Sequence, residues 1–224
     1  MVDPVKRRYR SDVRAERAAA TRRAVLAAAR DLFADGGYER TSVADVAARA
    51  GVSVDTVYTA VGRKPELLLA VVDMALGSSD EPVRAEQRDY VVAIRAAETA
   101  RDKIEVYAAA LGRLMPTVVP LLEALAQAAV TDPGCARVRD AIAQRRAANM
   151  RLFAADLRGT GELRPDLDDD AVADVVWATN SPQYFVLLGS RGWTATAYAE
   201  HLADLWCRYL LEPAEGAGAR FREG

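Results

Sequence analysis

The sequence predicts an all-α protein, and three observations lead to that prediction. Apolar residues recur at helical spacing over most of the 224-residue chain. Clusters of glycine and proline interrupt these stretches at intervals that match helix lengths. Alternating runs of β-branched residues, which would indicate strands, are few. Because 51% of the residues are hydrophobic, the chain is apolar enough to bury a sizeable core.

Charge is distributed unevenly along the chain. Residues 1–64 contain 13 Lys and Arg against 8 Asp and Glu, whereas the remainder contains 17 against 24. A basic N-terminal quarter on an acidic body favours contact with a polyanion. The predicted organisation is a flexible basic arm over 1–17, a first helical domain over 18–64, a larger helical domain over 65–212 and a disordered tail over 213–224.

The N-terminal helices follow from apolar spacing and from capping residues. A stripe of apolar side chains predicts a helix from Ala18, and the DGG run at 35–37 ends it because glycine adopts the left-handed cap. Thr41 or Ser42 is placed to cap a second helix and Ser53 a third. Pro65 suits the first turn of a fourth helix.

The rest of the chain is predicted to form further helices. Their predicted ranges are 82–97, 99–113, 116–130, 134–158, 169–189 and 194–211. Pro182 falls inside the fifth of these, and we expect it to bend that helix because proline cannot donate a hydrogen bond to the Ala178 carbonyl.

The two short helices joined by AGVS at 50–53 fit a helix-turn-helix. Its second helix would lie in the major groove with its N-terminal residues at the base edges, while hydroxyl groups hold phosphates. An ordinary helical hairpin has the same spacing, and the basic arm favours DNA over that alternative. The predicted DNA-contacting residues are Thr41, Ser42, Ser53, Val54, Asp55, Thr56, Tyr58, Thr59, Arg63 and Lys64.

Asp55 is an unexpected residue at such a position, because phosphates repel a carboxylate. Two interpretations stay open from sequence. The carboxylate can stabilise the first turn of its helix through the helix dipole, or it can accept a hydrogen bond from a cytosine amino group.

The stretch TSVADVAARAGVSVDTVYTAVGRKPELL, 41–68, resembles the DNA-binding region of the TetR/AcrR family of bacterial transcriptional regulators. It departs from the family pattern at Asp55, where glycine is common, and at Ala60 and Val61, where an aromatic pair is common. The matching positions are Thr41, Val43, Val46, Ala47, Ala50, Gly51, Val52, Ser53, Thr56, Val57, Tyr58, Lys64 and Leu67.

The resemblance implies a homodimeric regulator, usually a repressor, with a DNA-binding domain over 18–64 and a ligand-binding and dimerisation domain over 65–212. A small molecule would bind the second domain and change the spacing of the two recognition helices, which fit successive major grooves only at about 34–36 Å. The alternative function is a helical protein-interaction module that has lost DNA binding.

Polar groups among aromatics around Pro182 predict one wall of a ligand pocket for a small, largely apolar effector. Asn180 and Gln183 could instead face solvent or pair with the freed carbonyl. Arg145 and Arg146 could hold an anionic group, although solvated helix charges are the simpler interpretation. The predicted ligand-binding residues are Tyr107, Leu111, Met115, Met150, Phe153, Trp177, Asn180, Ser181 and Tyr184.

An apolar stripe near the C-terminus predicts either core packing or a dimer interface. The resemblance favours the interface for part of it, because the last two helices of such regulators commonly pair with their twins. The predicted interface residues are Leu187, Leu188, Tyr198, Leu202, Leu205, Trp206 and Tyr209.

The sequence gives no support for an enzyme, a cofactor or a metal site. His201 is the single histidine, and Cys135 and Cys207 form no CxxC pair. We find no glycine-rich phosphate loop and no apolar leader, and we expect no membrane span. A cytoplasmic protein is therefore expected.

Overall fold

The computed structural model describes residues 4–79 and 82–213, and side chains from residue 13 onward. Within these ranges the chain forms ten α-helices and no strand, which confirms the all-α prediction. A 3-10 helix, Ala85–Gln87, and a single antiparallel bridge between Leu163 and Leu211 complete the regular structure there. The helices are α1 (Pro4–Arg40), α2 (Val43–Ala50), α3 (Val54–Ala60), α4 (Lys64–Gly77), α5 (Asp89–Ala96), α6 (Ala100–Ala128), α7 (Pro133–Arg158), α8 (Asp169–Thr179), α9 (Pro182–Gly189) and α10 (Ala195–Leu210).

The predicted arm and tail lie partly outside the described ranges, which leave out residues 1–3 and 214–224. Residues 4–17 of the predicted arm form the first turns of α1. The helix therefore begins well before Ala18, where the apolar stripe begins.

The described chain divides into two compact units. One comprises the residues up to Arg84 together with Pro120–Arg139, and the other comprises Ala85–Val119 and the residues from Asp140 onward. Both α6 and α7 contribute residues to each unit. The sequence prediction placed α4 in the second domain, but this helix packs against α1 within the first unit.

The core of the first unit forms on the apolar face of α1, which packs against α2, α3 and α4. Leu26 on α1 is fully buried, and so are Val46, Val57 and Leu68, one on each of the partner helices. Burial of a side chain of this size contributes about 1.5–3 kcal/mol. Apolar packing therefore holds α3 in place while its other face is left to solvent.

The core of the second unit is rich in aromatic rings. The ring centroid of Tyr107 lies 5.0 Å from that of Phe153 and 5.7 Å from that of Trp206. Tyr198 meets Phe185 edge to face at 5.0 Å. Offset and edge-to-face arrangements of this kind are the favoured aromatic geometries, and they specify how the helices of this unit pack.

The DGG run interrupts α1 without ending it. Gly37 has φ 72° and ψ 175°, a backbone conformation outside the helical region, and helical backbone continues beyond it to Arg40. The predicted stop is therefore a break between two helical stretches.

The single helix α6 replaces two predicted helices. Pro116, where the second predicted helix begins, and Pro120 lie inside α6 and are exposed, whereas Met115 and Val119 are buried. Each proline removes one backbone hydrogen bond. Because both lie on the exposed side, the buried side of the helix packs without interruption and keeps it continuous.

The length and composition of α6 would also suit a membrane span, contrary to the sequence expectation. An 18-residue window within it has a mean hydropathy of 1.3. Half of that window is buried within the protein, which is typical of a core helix.

Pro182 begins a helix rather than bending one. The predicted helix 169–189 is divided into α8 and α9 at Asn180 and Ser181. The Ser181 Oγ accepts a hydrogen bond from the Tyr184 N–H at 3.1 Å, so Ser181 is the N-cap of α9. Proline is favoured in the first turn after such a cap, because its missing N–H has no helical partner there.

Candidate nucleic-acid interface

The turn between α2 and α3 depends on Gly51. This residue has φ 69° and caps α2 in the left-handed conformation, which costs a residue with a Cβ more than it costs glycine. The N–H of Val52 donates to the Ala47 carbonyl at 3.0 Å, which fixes the exit of the chain. The angle between the two helices is therefore set by local hydrogen bonds and by the burial of Ala47.

Hydroxyl groups that were predicted to contact phosphates cap the two helices. The Ser53 Oγ accepts a hydrogen bond from the Thr56 N–H at 3.1 Å and lies 2.8 Å from the Thr56 Oγ1. The Ser42 Oγ accepts from the Asp45 N–H at 3.1 Å and donates to the Asp45 Oδ2 at 2.7 Å. Loss of such a cap costs about 1 kcal/mol, so these serines stabilise the motif directly.

Asp45 places a negative charge at the start of α2. Its Oδ2 also accepts from the Ser42 N–H at 2.8 Å, which completes a capping box. These hydrogen bonds, led by the one from the Ser42 hydroxyl, lower the pKa of the Asp45 carboxyl. The start of α2, where the sequence suggested a phosphate, thus already holds an anionic group.

The exposed face of α3 carries side chains that are available for contact. Tyr58 is 48% exposed and Val54 is 37% exposed. Asp55 and Arg63 are exposed as well, and neither makes a side-chain hydrogen bond or ion pair with the described part of the chain. The Thr59 hydroxyl, also on this face, donates to the Asp55 carbonyl at 2.8 Å.

Two residues that were predicted to contact DNA, Thr41 and Lys64, make contacts within the protein. Thr41 is only 3% exposed, and its hydroxyl donates to the carbonyls of Gly37 at 2.9 Å and Leu32 at 3.1 Å. It therefore has no free surface for DNA, and we remove it from the candidate interface. The Lys64 Nζ lies 4.0 Å from the centre of the Tyr38 ring, an arrangement that positions the ammonium through a cation–π contact.

One contact that holds α3 in place could not be predicted from the sequence. The Arg22 Nη1 on α1 donates to the carbonyl of Ala60, the last residue of α3. A cation at a helix C-terminus is favoured by the helix dipole. Arg22 belongs to the polar edge of α1, and no spacing rule links it to a carbonyl on another helix.

Five of the predicted ligand-binding residues lie in the packed core of the second unit, whereas Trp177 is 39% exposed. Tyr107, Leu111, Met115, Met150 and Phe153 are buried. Asn180, Ser181, Tyr184 and Trp177 lie at or near the end of α8 and the start of α9.

Asn180 is the polar centre of this packed core. It is 2% exposed, and its Nδ2 donates to the Tyr107 hydroxyl at 2.9 Å and to the Met150 Sδ at 3.0 Å. Its Oδ1 accepts from the Arg146 Nη2 at 2.7 Å. Burial leads the causes that raise the pKa of the Tyr107 hydroxyl well above its ordinary range. The Asn180 side chain thus neither faces solvent nor donates to the Ala178 carbonyl, the two alternatives open from sequence.

Residues 25–71, from the second half of α1 into α4, match the family model of bacterial regulatory proteins of the tetR family. This segment is therefore similar to the DNA-binding region of that family, and it contains the whole helix-turn-helix. No curated protein matches the chain in sequence.

Solved structures of transcriptional regulators share the fold over more than four fifths of the chain. A TetR transcriptional regulator from Chloroflexus aurantiacus is 22% identical, with a TM-score of 0.62 over 88% of this chain and 100% of the other. NalD of Pseudomonas aeruginosa, the secondary repressor of a multidrug efflux pump, is 19% identical, with a TM-score of 0.62 over 87% and 98%. FadR of Bacillus subtilis in complex with stearoyl-CoA is 16% identical, with a TM-score of 0.63 over 81% and 95%.

The predicted dimer residues divide into two groups. Tyr198, Leu202 and Trp206 on α10 are fully buried in the core of their own chain, so they have no surface left for a partner and we remove them from the interface. Leu187 is 61% exposed and Tyr209 is exposed as well. Leu188 and Leu205 are half-buried.

A groove that the sequence did not suggest lies between the start of α6 and the end of α10. Its volume is about 560 Å³, and its lining includes Arg101, Glu105, Asp204 and Arg208. Charges of both signs line it, so it does not match the largely apolar effector that the sequence predicts.

Proposed function

We propose that this chain is a TetR-family regulator, a homodimeric cytoplasmic repressor that is released from a specific DNA operator by a small, largely apolar molecule. The observation that best supports DNA recognition is the exposed face of α3. Caps and core contacts hold this short helix at both ends, while Val54, Asp55 and Tyr58 are presented outward. A rigid helix with free side chains in its first turns is what major-groove reading requires.

Within this proposal Asp55 reads a base. The helix is already capped by Ser53, and the Asp55 carboxylate has no hydrogen-bond partner in the described part of the chain. An exposed acceptor in the first turn of a recognition helix is suited to the amino group of cytosine. Val54 beside it offers an apolar contact for a thymine methyl group.

Tyr58 and Arg63 supply the phosphate contacts in this proposal. Neither side chain is used for capping, and both are exposed. Lys64 adds positive charge next to them, where the cation–π contact with Tyr38 orients its ammonium group. These contacts would fix the register of the helix without reading sequence.

Dimerisation is proposed through α9 and the residues that follow it. This helix has the sequence PQYFVLLG and contains no buried residue. Val186, Leu187 and Trp193 leave large apolar surface exposed. Apolar surface of this kind on a soluble chain is typical of an interface, and a second copy of the chain would cover it.

Release by a small molecule is proposed through the second unit, where Asn180 and the aromatic rings around Tyr107 would meet the effector. A ligand that binds more tightly to the conformation with a different separation of the two recognition helices must weaken operator binding. The two binding events are coupled reciprocally, so the operator weakens ligand binding by the same factor.

The experiment that tests DNA recognition is selection of duplexes from a random pool by the purified full chain. The proposal predicts one enriched, two-fold symmetric sequence whose half-sites lie about one helical turn apart. Enrichment of no sequence at low salt would contradict it and favour the protein-interaction module. Mutation of Tyr58 and Arg63 to alanine provides the matched control, because these variants should fold normally and enrich nothing.

A further inference from the structure

Arg146 on α7 is a cation held in the second unit without an acidic partner. Its Nη2 donates to the Trp177 carbonyl and to the Asn180 Oδ1, both at 2.7 Å. Its guanidinium carbon lies 5.2 Å from the centre of the Trp177 ring. Within residues 4–79 and 82–213, no carboxylate forms an ion pair with this guanidinium.

Two other arginines on α7 have a different environment. Arg151 pairs with Asp170 at 3.0 Å and Arg158 with Asp169 at 2.9 Å, two residues in the first turn of α8. Arg146, nearer the other end of α8, meets a carbonyl, an amide and an aromatic ring instead. Burial lowers the pKa of this guanidinium, which nevertheless stays charged at neutral pH because arginine is so strongly basic.

Donors of Arg146 also remain unused. Both hydrogens of Nη2 are taken up by its two acceptors, but Nε and Nη1 have no hydrogen bond in the described part of the chain. The Arg146 side chain is only partly buried. A partly desolvated cation with free N–H groups is a strong site for an anion, since the attraction increases as water is excluded.

We propose that Arg146 binds the single carboxylate of an otherwise apolar effector, an inference that rests on the proposed ligand-released regulator and names the chemical class of its ligand. The Trp177 ring beside the guanidinium would cover the apolar part of the molecule nearest the carboxylate. One unpaired positive charge matches a monoanion, whereas a phosphate dianion would leave charge uncompensated. Asn180 and Tyr107 behind Arg146 hold it in place through the hydrogen bonds already described.

Arg146 also has a structural role, because its bond to the Trp177 carbonyl lies at the C-terminal end of α8. The two roles make different predictions. A purely structural cap would affect stability and would weaken all ligands alike. A carboxylate receptor would change the preference for a carboxylate over an uncharged molecule of the same shape.

The experiment uses the full chain without DNA and straight-chain carboxylates from hexanoate to tetradecanoate, each beside the primary alcohol of equal length. Calorimetry gives the affinities, and quenching of tryptophan fluorescence reports binding near Trp177. The wild type should bind at least one carboxylate about tenfold more tightly than its alcohol, the effect expected of a charge-assisted hydrogen bond. Arg146→Gln should abolish this preference, and Arg146→Lys should retain part of it.

Arg145→Gln is the control, because it removes the same charge from the neighbouring position and should keep the preference. Thermal unfolding of each variant shows whether it is folded. The comparison of carboxylate with alcohol in the wild type tests the inference even if a variant fails to fold. Equal affinity for carboxylate and alcohol, absence of carboxylate binding, or a preference that survives in folded Arg146→Gln would overturn the inference. If the chain still binds its operator in any of these cases, the carboxylate inference is wrong but the proposed DNA-binding function is unaffected.

Discussion

The helix-turn-helix and the C-terminal helices α8–α10 differ in how their side chains are used. On α3 the residues that were expected to meet DNA, apart from its capping hydroxyls, lie on the surface with few internal contacts. On α10 three of the residues that were expected to meet a second subunit are enclosed in the core of their own chain. Turns and helix caps depend on residues close in sequence, so the sequence shows which face of α3 is free. An apolar stripe shows only that a helix face is buried, either in the core of its own chain or against a second subunit.

The largest expected effect separates core from surface within the C-terminal helices. Trp206→Ala should lower the free energy of unfolding by about 3–5 kcal/mol, because the ring is fully buried and its Nε1 donates to the Thr179 hydroxyl at 2.8 Å. Leu187→Ala should lower it by clearly less, because this side chain is 61% exposed in its own chain. Chemical denaturation of both variants provides the measurement.

The same pair tests the proposed dimer face. Leu187→Asp should shift the chain toward monomers in sedimentation equilibrium, because a charge would be buried against the partner. A stable dimer in Leu187→Asp, together with little loss of stability in Trp206→Ala, would reverse the assignment of the two residues.

The next effect concerns Thr41, which the sequence placed at the DNA surface and the structure places in the interior. Thr41→Val should lower the free energy of unfolding by about 1–2 kcal/mol, because two carbonyls lose the hydroxyl that donates to them. Operator affinity, measured well below the melting temperature, should stay within about twofold. A large loss of affinity in a variant of normal stability would return Thr41 to the DNA interface.

Tyr58 should show the opposite behaviour. Tyr58→Phe removes one hydroxyl from an exposed ring and should leave the melting temperature unchanged. Operator affinity should fall about fivefold, equivalent to about 1 kcal/mol for one hydrogen bond to a phosphate. Fluorescence anisotropy with a labelled duplex measures this, and Thr59→Val, whose hydroxyl serves its own helix, is the matched control.

The smallest expected effect distinguishes the two interpretations of Asp55. Asp55→Ala should change the preferred base at one position in each half-site, while stability changes by less than about 1 kcal/mol. Duplex selection with the variant shows the preference directly. An unchanged preference combined with lower stability would mean that the carboxylate serves only the helix dipole.

Much of the first unit could be predicted because its determinants are close in sequence. Ser42, Gly51 and Ser53 act within a few residues, so their spacing gave the helix ends and the turn. Pro116 misled the prediction, because a proline breaks a helix or is tolerated in it according to which side is buried. That depends on packing partners far along the chain.

The candidate site in the second unit depends on distant partners to a greater extent. Asn180 meets a hydroxyl on α6 and a guanidinium on α7, which lie 73 and 34 residues away in sequence. No local sequence pattern encodes contacts between residues so far apart. The sequence therefore indicated the residues but not the hydrogen bonds that connect them. From sequence, Arg145 and Arg146 were equivalent candidates for holding an anion. Only the contacts of Arg146 with α8 and with Asn180 distinguish it from Arg145.

The most direct test of the account is the affinity of the full chain for its selected duplex and for a scrambled duplex of equal composition, over a range of salt concentrations. The account predicts that the selected duplex binds at least about a thousandfold more tightly at physiological salt. It also predicts that the logarithm of each affinity falls linearly with the logarithm of salt concentration. Equal affinities for the two duplexes at every salt concentration would contradict sequence-specific DNA recognition by the exposed face of α3.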